Sequence, residues 1–160
     1  MESLYTNIMK TKKNKMENTK ELILESQLEE SRMSNSNFIN NLVKEIHTKN
    51  VEAGWWNDPE TGETLLNNRF TPYVIATKIL MTVTELAEAT EGYRKDLIDD
   101  KLTDRPMFEV ELADALIRIL DIAGVMKYDL GGAMEAKRSF NFRRDDHKIE
   151  NRLKIGGKKF

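Results

Sequence analysis

Two stretches dictate how this chain folds: residues 71–100, TPYVIATKILMTVTELAEATEGYRKDLIDD, and residues 106–128, PMFEVELADALIRILDIAGVMKY. Both carry apolar residues at helical spacing, and each has a proline at its start, where proline favours the first turn of a helix. Only a short turn separates them, so the two helices are predicted to pack antiparallel. We therefore expect an all-α fold, a helical bundle of about four core helices.

Each helix of this predicted hairpin carries a pair of acids. Glu85 and Glu88 form the first pair, and Glu111 and Asp114 form the second. Residues three apart share a helical face, so four carboxylates would converge and repel unless cations lay between them. Oxygen ligands select Mg²⁺, or Mn²⁺ as a substitute, and Mg²⁺ is commonly shared with substrate phosphates. In a chain with 27 acidic residues, however, either pair alone is more typical of an ordinary solvated face than of a metal site.

The apolar residues of the two helices lie on other faces than the acids. We expect these stripes to face the core and the carboxylates to project away from it. Asp121 is predicted to support the acids from behind or to pair with Arg118. The stripes comprise Ile75, Ile79, Val83, Leu86, Tyr93 and Leu97 on one helix, and Phe108, Leu112, Ile119 and Met126 on the other.

The rest of the chain divides by composition. Residues 1–20 are polar and lysine-rich and are predicted to be disordered, residues 21–36 to form a short helix or linker, and residues 37–150 to form the helical domain. Ser34, Ser36 or Asn37 is expected to cap a core helix that ends near Gly54. A last helix is predicted over residues 133–146, followed by an extended tail over residues 151–160.

Composition limits location and partners. The chain has no cysteine and a net charge of −2, so neither a disulfide framework nor a basic surface for a nucleic-acid polymer is indicated. No apolar run approaches the roughly 20 residues that span a bilayer, and the N-terminal segment lacks the apolar core of a secretory signal. We expect a cytoplasmic protein without membrane contact, in the host cytoplasm if it is phage-encoded.

Several further residues are candidates for substrate contacts. Lys137, Asn141, Arg144 and Lys148 recur at helical spacing on the last helix, which suits phosphate binding, although a solvated surface would show the same pattern. Lys78 lies on the same face as the first acid pair. Trp55 and Trp56 are candidates either for stacking on a base or for anchoring a long loop.

Together these motifs resemble a known family. The Glu85-x-x-Glu88 and Glu111-x-x-Asp114 pairs, the string ELADALIRILD and the segment Lys137-x-x-x-Asn141-x-x-Arg144 resemble the MazG-like, all-α nucleoside triphosphate pyrophosphohydrolases. The Gly-Gly-Lys-Lys-Phe end is similar to that of small, often phage-encoded members. The resemblance covers roughly residues 37–160.

The resemblance implies an Mg²⁺-dependent hydrolase that cleaves a nucleoside triphosphate between the α and β phosphates. The four acids would bind the metal, and Glu85 or Glu88 would orient the attacking water. A homodimer or homotetramer is expected, both from the resemblance and because a short bundle leaves apolar stripes uncovered. Two alternatives stay open: a non-catalytic helical interaction module, and a narrower hydrolase of dUTP, dCTP or ppGpp from the same superfamily.

Overall fold

A computed structural model describes residues 2–159 of the chain, with side chains from residue 16 onward. Its helices are α1 (Glu2–Glu52), α2 (Thr71–Lys95), α3 (Met107–Met126) and α4 (Leu130–Arg143), followed by a 3₁₀ turn (Asp145–His147) and the short α5 (Ile149–Arg152). Within the described residues, β-structure is limited to two isolated bridges. The prediction of an all-α fold is confirmed. No helix in this part of the chain combines the length and apolar character that crossing a bilayer requires.

The chain divides into two compact units. The central unit is Ile39–Leu130, and it contains α2, α3 and the C-terminal part of α1. The terminal unit combines the N-terminal part of α1 with Gly131–Phe160. The acid pairs belong to the central unit, and the cationic segment of the last helix belongs to the terminal unit.

The first helix is longer than the sequence indicated. It is uninterrupted over 51 residues, so residues 21–36 are helical, as one of the two predicted alternatives had it, but they belong to one long helix rather than to a separate short helix or linker. The helix starts predicted at Ser34, Ser36 or Asn37 are therefore wrong. The reason is that no glycine or proline precedes Gly54, and serine or asparagine lowers helix propensity without breaking a helix. The helix ends where expected, just before Gly54, whose φ is +81°. Disorder of residues 1–20 stays a prediction, and the side chains of residues 1–15 lie outside the described residues.

The predicted hairpin of α2 and α3 is confirmed. α2 begins at Thr71, whose hydroxyl donates to the Leu65 carbonyl (2.7 Å) and ties the preceding loop to the helix. In the connecting turn, the Met107 amide donates to the Leu97 carbonyl (2.9 Å). The nearly buried Asp99 carboxylate accepts the amide of Leu102 at 2.6 Å. These bonds fix the register in which the acid-bearing helices meet.

Small residues allow α2 and α3 to approach closely. Ala89 and Gly92 of α2 and Ala115 of α3 are buried, together with Glu85 and Glu111. A methyl group on Gly92 would lie 3.0 Å from the Met107 Cβ, so this position leaves little room for a side chain. The face that α2 buries therefore carries small residues and an acid.

The apolar stripes of the hairpin point outward instead, so the expectation that they face the core of the chain is wrong. Periodicity identifies a helix face as apolar, but it does not tell whether that face packs within the chain or stays available for another surface. The outward positions include Ile79 (51% exposed), Val83 (55%), Leu86 (46%), Leu112 (43%) and Ile119 (44%).

The core of the central unit lies between α1 and α3. Val43, Leu120 and Ala123 are buried, and Ile39, Leu42, Ile46 and Leu130 pack against them. Gly124 faces the His47 side chain so closely that a Cβ there would overlap it. Leu42, Val43 and Ile46 therefore lie on the predicted face of the helix, whereas Phe38 is 66% exposed.

In the terminal unit, the last helix is displaced toward the N-terminus from its predicted range of residues 133–146. It runs over Leu130–Arg143, because Gly131 lies in its first turn rather than breaking the chain. A Cβ on Gly131 would overlap the Ser36 backbone carbonyl, so this glycine permits a close approach to α1 within the unit. Residues 151 and 152 belong to α5, so the extended tail predicted over residues 151–160 does not begin at residue 151.

Candidate metal centre

The structure brings three of the four predicted ligands together. Glu85, Glu88 and Glu111 each place a carboxylate oxygen so that all three atoms lie within 4.8 Å of one another. We call these three residues the acid cluster. Glu85 and Glu111 are only 6% and 8% exposed, whereas Glu88 is exposed. Asp114 falls outside this group and lines a neighbouring cavity.

The acid cluster raises the pKa of one of its members. Burial is the largest cause that raises the pKa of Glu111 to about 7, followed by its hydrogen bond with Glu85 and the negative charges of Glu88, Glu85 and Asp114. Near neutral pH the cluster therefore holds a proton that a cation would displace.

Arg118 partly neutralises the cluster. Its Nε donates to Glu85 Oε1 at 2.6 Å, across the α2–α3 contact. The prediction that Asp121 pairs with Arg118 is therefore wrong: the guanidinium reaches α2, and Asp121 points to other partners. One arginine against three carboxylates leaves the cluster with an excess of negative charge.

The donor set suits a hard divalent cation. All three candidate ligands are carboxylates, and oxygen donors favour Mg²⁺, Mn²⁺ or Ca²⁺ over softer metals. One oxygen of Glu85 is already engaged by Arg118, so the other carboxylate oxygens of the cluster are the ones suited to an ion. The residues present therefore fit a divalent metal, and none of them distinguishes Mg²⁺ from other hard cations.

A cavity of about 420 Å³ is present in the same unit. We call it the cleft. Asp114 and Arg118 form its border toward the acid cluster, since both also act on the cluster's carboxylates. Its other lining residues are Asn50, Trp55, Lys78, Met81, Ile117 and Asp121.

In the lining of the cleft, Asp121 is a buried carboxylate with three hydrogen-bond donors around it. Oδ1 accepts from Trp56 Nε1 at 2.9 Å and from His47 Nδ1 at 2.8 Å, and Oδ2 lies 3.4 Å from Lys78 Nζ. The sequence interpretation missed the role of His47. The sequence does contain an indication of buried partners for Asp121. An acid within the apolar helix segment Leu120–Ala123 is expected to be buried, and a buried carboxylate requires hydrogen-bond donors.

The two tryptophans have different environments. Trp56 is fully buried, with its ring edge-on to His47 (5.7 Å between centroids) and beneath the Lys78 ammonium (4.3 Å). Its ring faces are therefore covered, which favours the anchoring role over base stacking. Trp55 is 69% exposed and lines the cleft, so stacking by Trp55 stays a prediction.

The predicted phosphate-binding stripe is not one helical face. α4 ends at Arg143, so Arg144 and Lys148 lie beyond it, and Arg144 donates through Nε to Asp146 Oδ1 at 2.8 Å. Lys137 and Asn141 do remain together, since both line a cavity of about 610 Å³ within the terminal unit. Asn141 Oδ1 is buried and has no hydrogen-bond partner among the described residues. Phosphate binding by this segment stays a prediction.

Comparisons of the chain with models of protein families, with curated proteins and with solved structures found no match. The resemblance to MazG-like pyrophosphohydrolases therefore stays a prediction from the sequence motifs.

Proposed function

We propose that this protein is an Mg²⁺-dependent nucleoside triphosphate pyrophosphohydrolase, which cleaves ribo- or deoxyribonucleoside triphosphates into the monophosphate and pyrophosphate. One observation carries the proposal: three carboxylates from two helices meet within 4.8 Å, and two of them are nearly buried. Acids so placed are unfavourable without a cation, and a phosphate anhydride is the substrate that a magnesium–carboxylate centre commonly serves.

The residues of the chain have distinct roles in this proposal. Glu85, Glu88 and Glu111 hold the metal, with Asp114 completing the set from the edge of the cleft. The metal would neutralise the triphosphate and lower the pKa of a bound water. Glu88 is the exposed member of the cluster, so it is the better placed of Glu85 and Glu88 to orient the water toward the α-phosphorus. Arg118 holds the Glu85 side chain in place through its hydrogen bond.

Substrate contacts would come from two groups of residues. Lys78 and Trp55 line the cleft beside Asp114 and would bind the nucleoside part of the substrate. Lys137, Asn141 and Arg144 belong to the terminal unit, and phosphate binding by them stays what the resemblance implies. The reaction belongs in the cytoplasm, or in the host cytoplasm for a phage protein, where nucleoside triphosphates are plentiful.

We also propose that the chain works as a homodimer or homotetramer. Support comes from the outward apolar faces of α2 and α3, where Val83 and Leu116 are 55% and 52% exposed. Extended apolar faces on a small protein commonly pack against another subunit. Analytical ultracentrifugation at micromolar concentration tests this, and a monomer would contradict it.

A panel of triphosphates tests the activity directly. Purified protein with Mg²⁺ should release pyrophosphate from nucleoside triphosphates, and EDTA should stop the release. Glu111→Gln should abolish the activity, while Glu109→Gln, an exposed acid on the same helix that pairs with Arg105, should leave it intact. Unchanged hydrolysis in Glu111→Gln would overturn the carboxylate mechanism. A protein inactive on every triphosphate and on ppGpp would favour the non-catalytic interaction module.

A further inference from the structure

We propose that Lys78 determines base specificity by selecting bases that present a carbonyl oxygen, with Asp121 as the residue that positions it. The proposal rests on the proposed function for its substrate class. It assigns a role to the cleft beside the acid cluster, whereas the reaction itself concerns only the phosphates.

Lys78 is held in a fixed place. Its ammonium lies 3.4 Å from Asp121 Oδ2 and 4.3 Å from the centroid of the buried Trp56 ring. Asp121 is in turn fixed by hydrogen bonds from Trp56 and His47 at 2.9 and 2.8 Å. A long side chain is normally free to rotate, but these contacts on two sides restrict its conformations before a ligand binds.

The ammonium group still has donor capacity toward the cleft. A lysine has three N–H donors, and the contact with Asp121 uses one. The Lys78 side chain is 19% exposed, against 4% for Asp121, so the lysine rather than the aspartate is the group presented to a ligand. Asp121 already has three donors around it and offers little to an incoming amino group.

The size and lining of the cleft can accommodate a heterocycle. Its volume of about 420 Å³ lies in the range of small-molecule sites. The apolar residues Trp55, Met81 and Ile117 can contact the faces of a ring. The other lining residues are polar or charged and can contact its edge: Asn50, Lys78, Asp114, Arg118 and Asp121.

Lys78 lies on the same helix, α2, as the proposed metal ligands Glu85 and Glu88, but about two turns before Glu85. Lys78 precedes Glu85 by seven residues, which is roughly 10 Å of helix. That is the order of the distance between the α-phosphate and the far edge of the base in an extended nucleotide. A substrate whose phosphates bind at the acid cluster would therefore bring its base, rather than its phosphates, to Lys78.

An ammonium group distinguishes bases because it only donates. Uracil, thymine and guanine carry a carbonyl oxygen at the position where cytosine and adenine carry an amino group. The carbonyl accepts a hydrogen bond from Lys78, whereas the amino group would place donor against donor and leave both unpaired.

The experiment compares UTP with CTP, which differ at this one position. For wild-type protein we expect kcat/KM to favour UTP by about tenfold, mainly through KM. Lys78→Met should remove the preference by weakening UTP. Lys78→Gln should also remove the preference. Its amide can still donate to Asp121, so this variant is expected to stay folded even if Lys78→Met does not. Lys95→Met is the matched control, an exposed lysine of α2 that pairs with Glu91, and it should keep the wild-type ratio.

Asp121→Asn tests positioning. Loss of the Asp121 charge should lower the ratio of kcat/KM for UTP to kcat/KM for CTP. A loss of stability alone would reduce both values equally and leave this ratio unchanged. Wild-type protein without a base preference would overturn the proposal. An equal loss for UTP and CTP in Lys78→Gln would also overturn it, because it would place the lysine on the phosphates.

A binding measurement separates this proposal from the proposed function. If the protein hydrolyses neither triphosphate, the reaction is refuted, and calorimetry with UMP and CMP tests the cleft by itself. Tighter binding of UMP that is lost in Lys78→Gln would support the assignment. Equal or absent binding of the two monophosphates would refute it.

Discussion

Two carboxylates of α3, Glu111 and Asp121, have similar burial and opposite surroundings. Glu111 is 8% exposed and Asp121 is 3% exposed. Glu111 lies among Glu85, Glu88 and Asp114, which raise its pKa, whereas Asp121 accepts from Trp56, His47 and Lys78. Burial alone therefore does not distinguish an acid whose partners are all present from an acid that lies among like charges. The charge and donor capacity of the neighbours do.

The two surroundings have opposite energetic consequences. An acid among other acids destabilises the folded protein when it ionises, and a cation removes that cost. An acid surrounded by donors stabilises the fold when all its partners are present, and removal of the acid leaves them unpaired. Substitutions at the two positions should therefore change stability in opposite directions.

The largest effect is expected for Glu111→Gln. Under the proposed mechanism, kcat/KM for triphosphate hydrolysis should fall by about a thousandfold or more, because the variant lacks one of the proposed metal ligands. The metal-free protein should at the same time become more stable by about 1 to 2 kcal/mol at pH 8, since like-charge repulsion is relieved. Steady-state kinetics and urea unfolding measure the two quantities. Glu109→Gln should change neither, and a less stable Glu111→Gln protein would contradict the comparison.

Asp121→Ala should have the next largest effect, with the opposite sign in stability. Because it leaves the Trp56 indole N–H, His47 and the Lys78 ammonium without their acceptor, we expect a loss of about 3 kcal/mol in the free energy of unfolding. Asp146→Ala is the matched control, an exposed acid paired with Arg144, and should change the free energy of unfolding very little. Equal losses in the two variants would refute the role assigned to Asp121.

A pH dependence near neutral pH is expected at the acid cluster. Glu111 has its pKa raised from 4.5 to about 7, so the folded protein binds more protons than the unfolded chain between these values. The metal-free protein should therefore lose stability as pH rises through this window. Mn²⁺ competes with the same proton, so its affinity should be about tenfold weaker at pH 6 than at pH 8.

Calorimetry at the two pH values measures the Mn²⁺ affinity. Glu111→Gln, which has no proton to lose, should show a much smaller pH dependence of whatever binding remains. An affinity that is independent of pH in the wild-type protein would show that Glu111 is ionised throughout and does not bind the displaced proton.

The smallest effects are expected at the two tryptophans. Trp56→Phe removes the indole donor to Asp121 and should cost about 1 to 2 kcal/mol of stability. Trp55→Phe should cost less than about 0.5 kcal/mol, because this ring is exposed. Thermal and urea unfolding of both variants measure the difference. Similar losses for the two would mean that the hydrogen bond from the Trp56 indole to Asp121 adds no measurable stability.

The sequence was sufficient for the hairpin and for most of the acid cluster. Prolines and helical periodicity located α2 and α3, and three-residue spacing placed Glu85 beside Glu88. The packed face of α2 was not predictable in the same way. Its apolar stripe is more conspicuous than the Ala89 and Gly92 positions, although small side chains are what allow the helices to meet.

Long-range partners were the other part that local patterns could not supply. The Asp121 bond to His47 joins residues 74 positions apart, and the bond to Trp56 joins residues 65 apart. Spacing rules describe neighbours on one helix and carry no information on such pairs. A rule of chemistry would have served better, because an aspartate within an apolar helix segment requires buried donors.

Gly92 follows Glu88 by one helical turn and touches the start of α3 at Met107. Because a side chain at this position would press against Met107, the glycine allows the two acid-bearing helices to lie close together. Mg²⁺ requires oxygens at about 2.0–2.1 Å and Ca²⁺ accepts about 2.3–2.6 Å, so in the proposed metal site the separation of the two helices would influence which cation binds. Gly92 would then contribute to cation selectivity although it offers no donor atom.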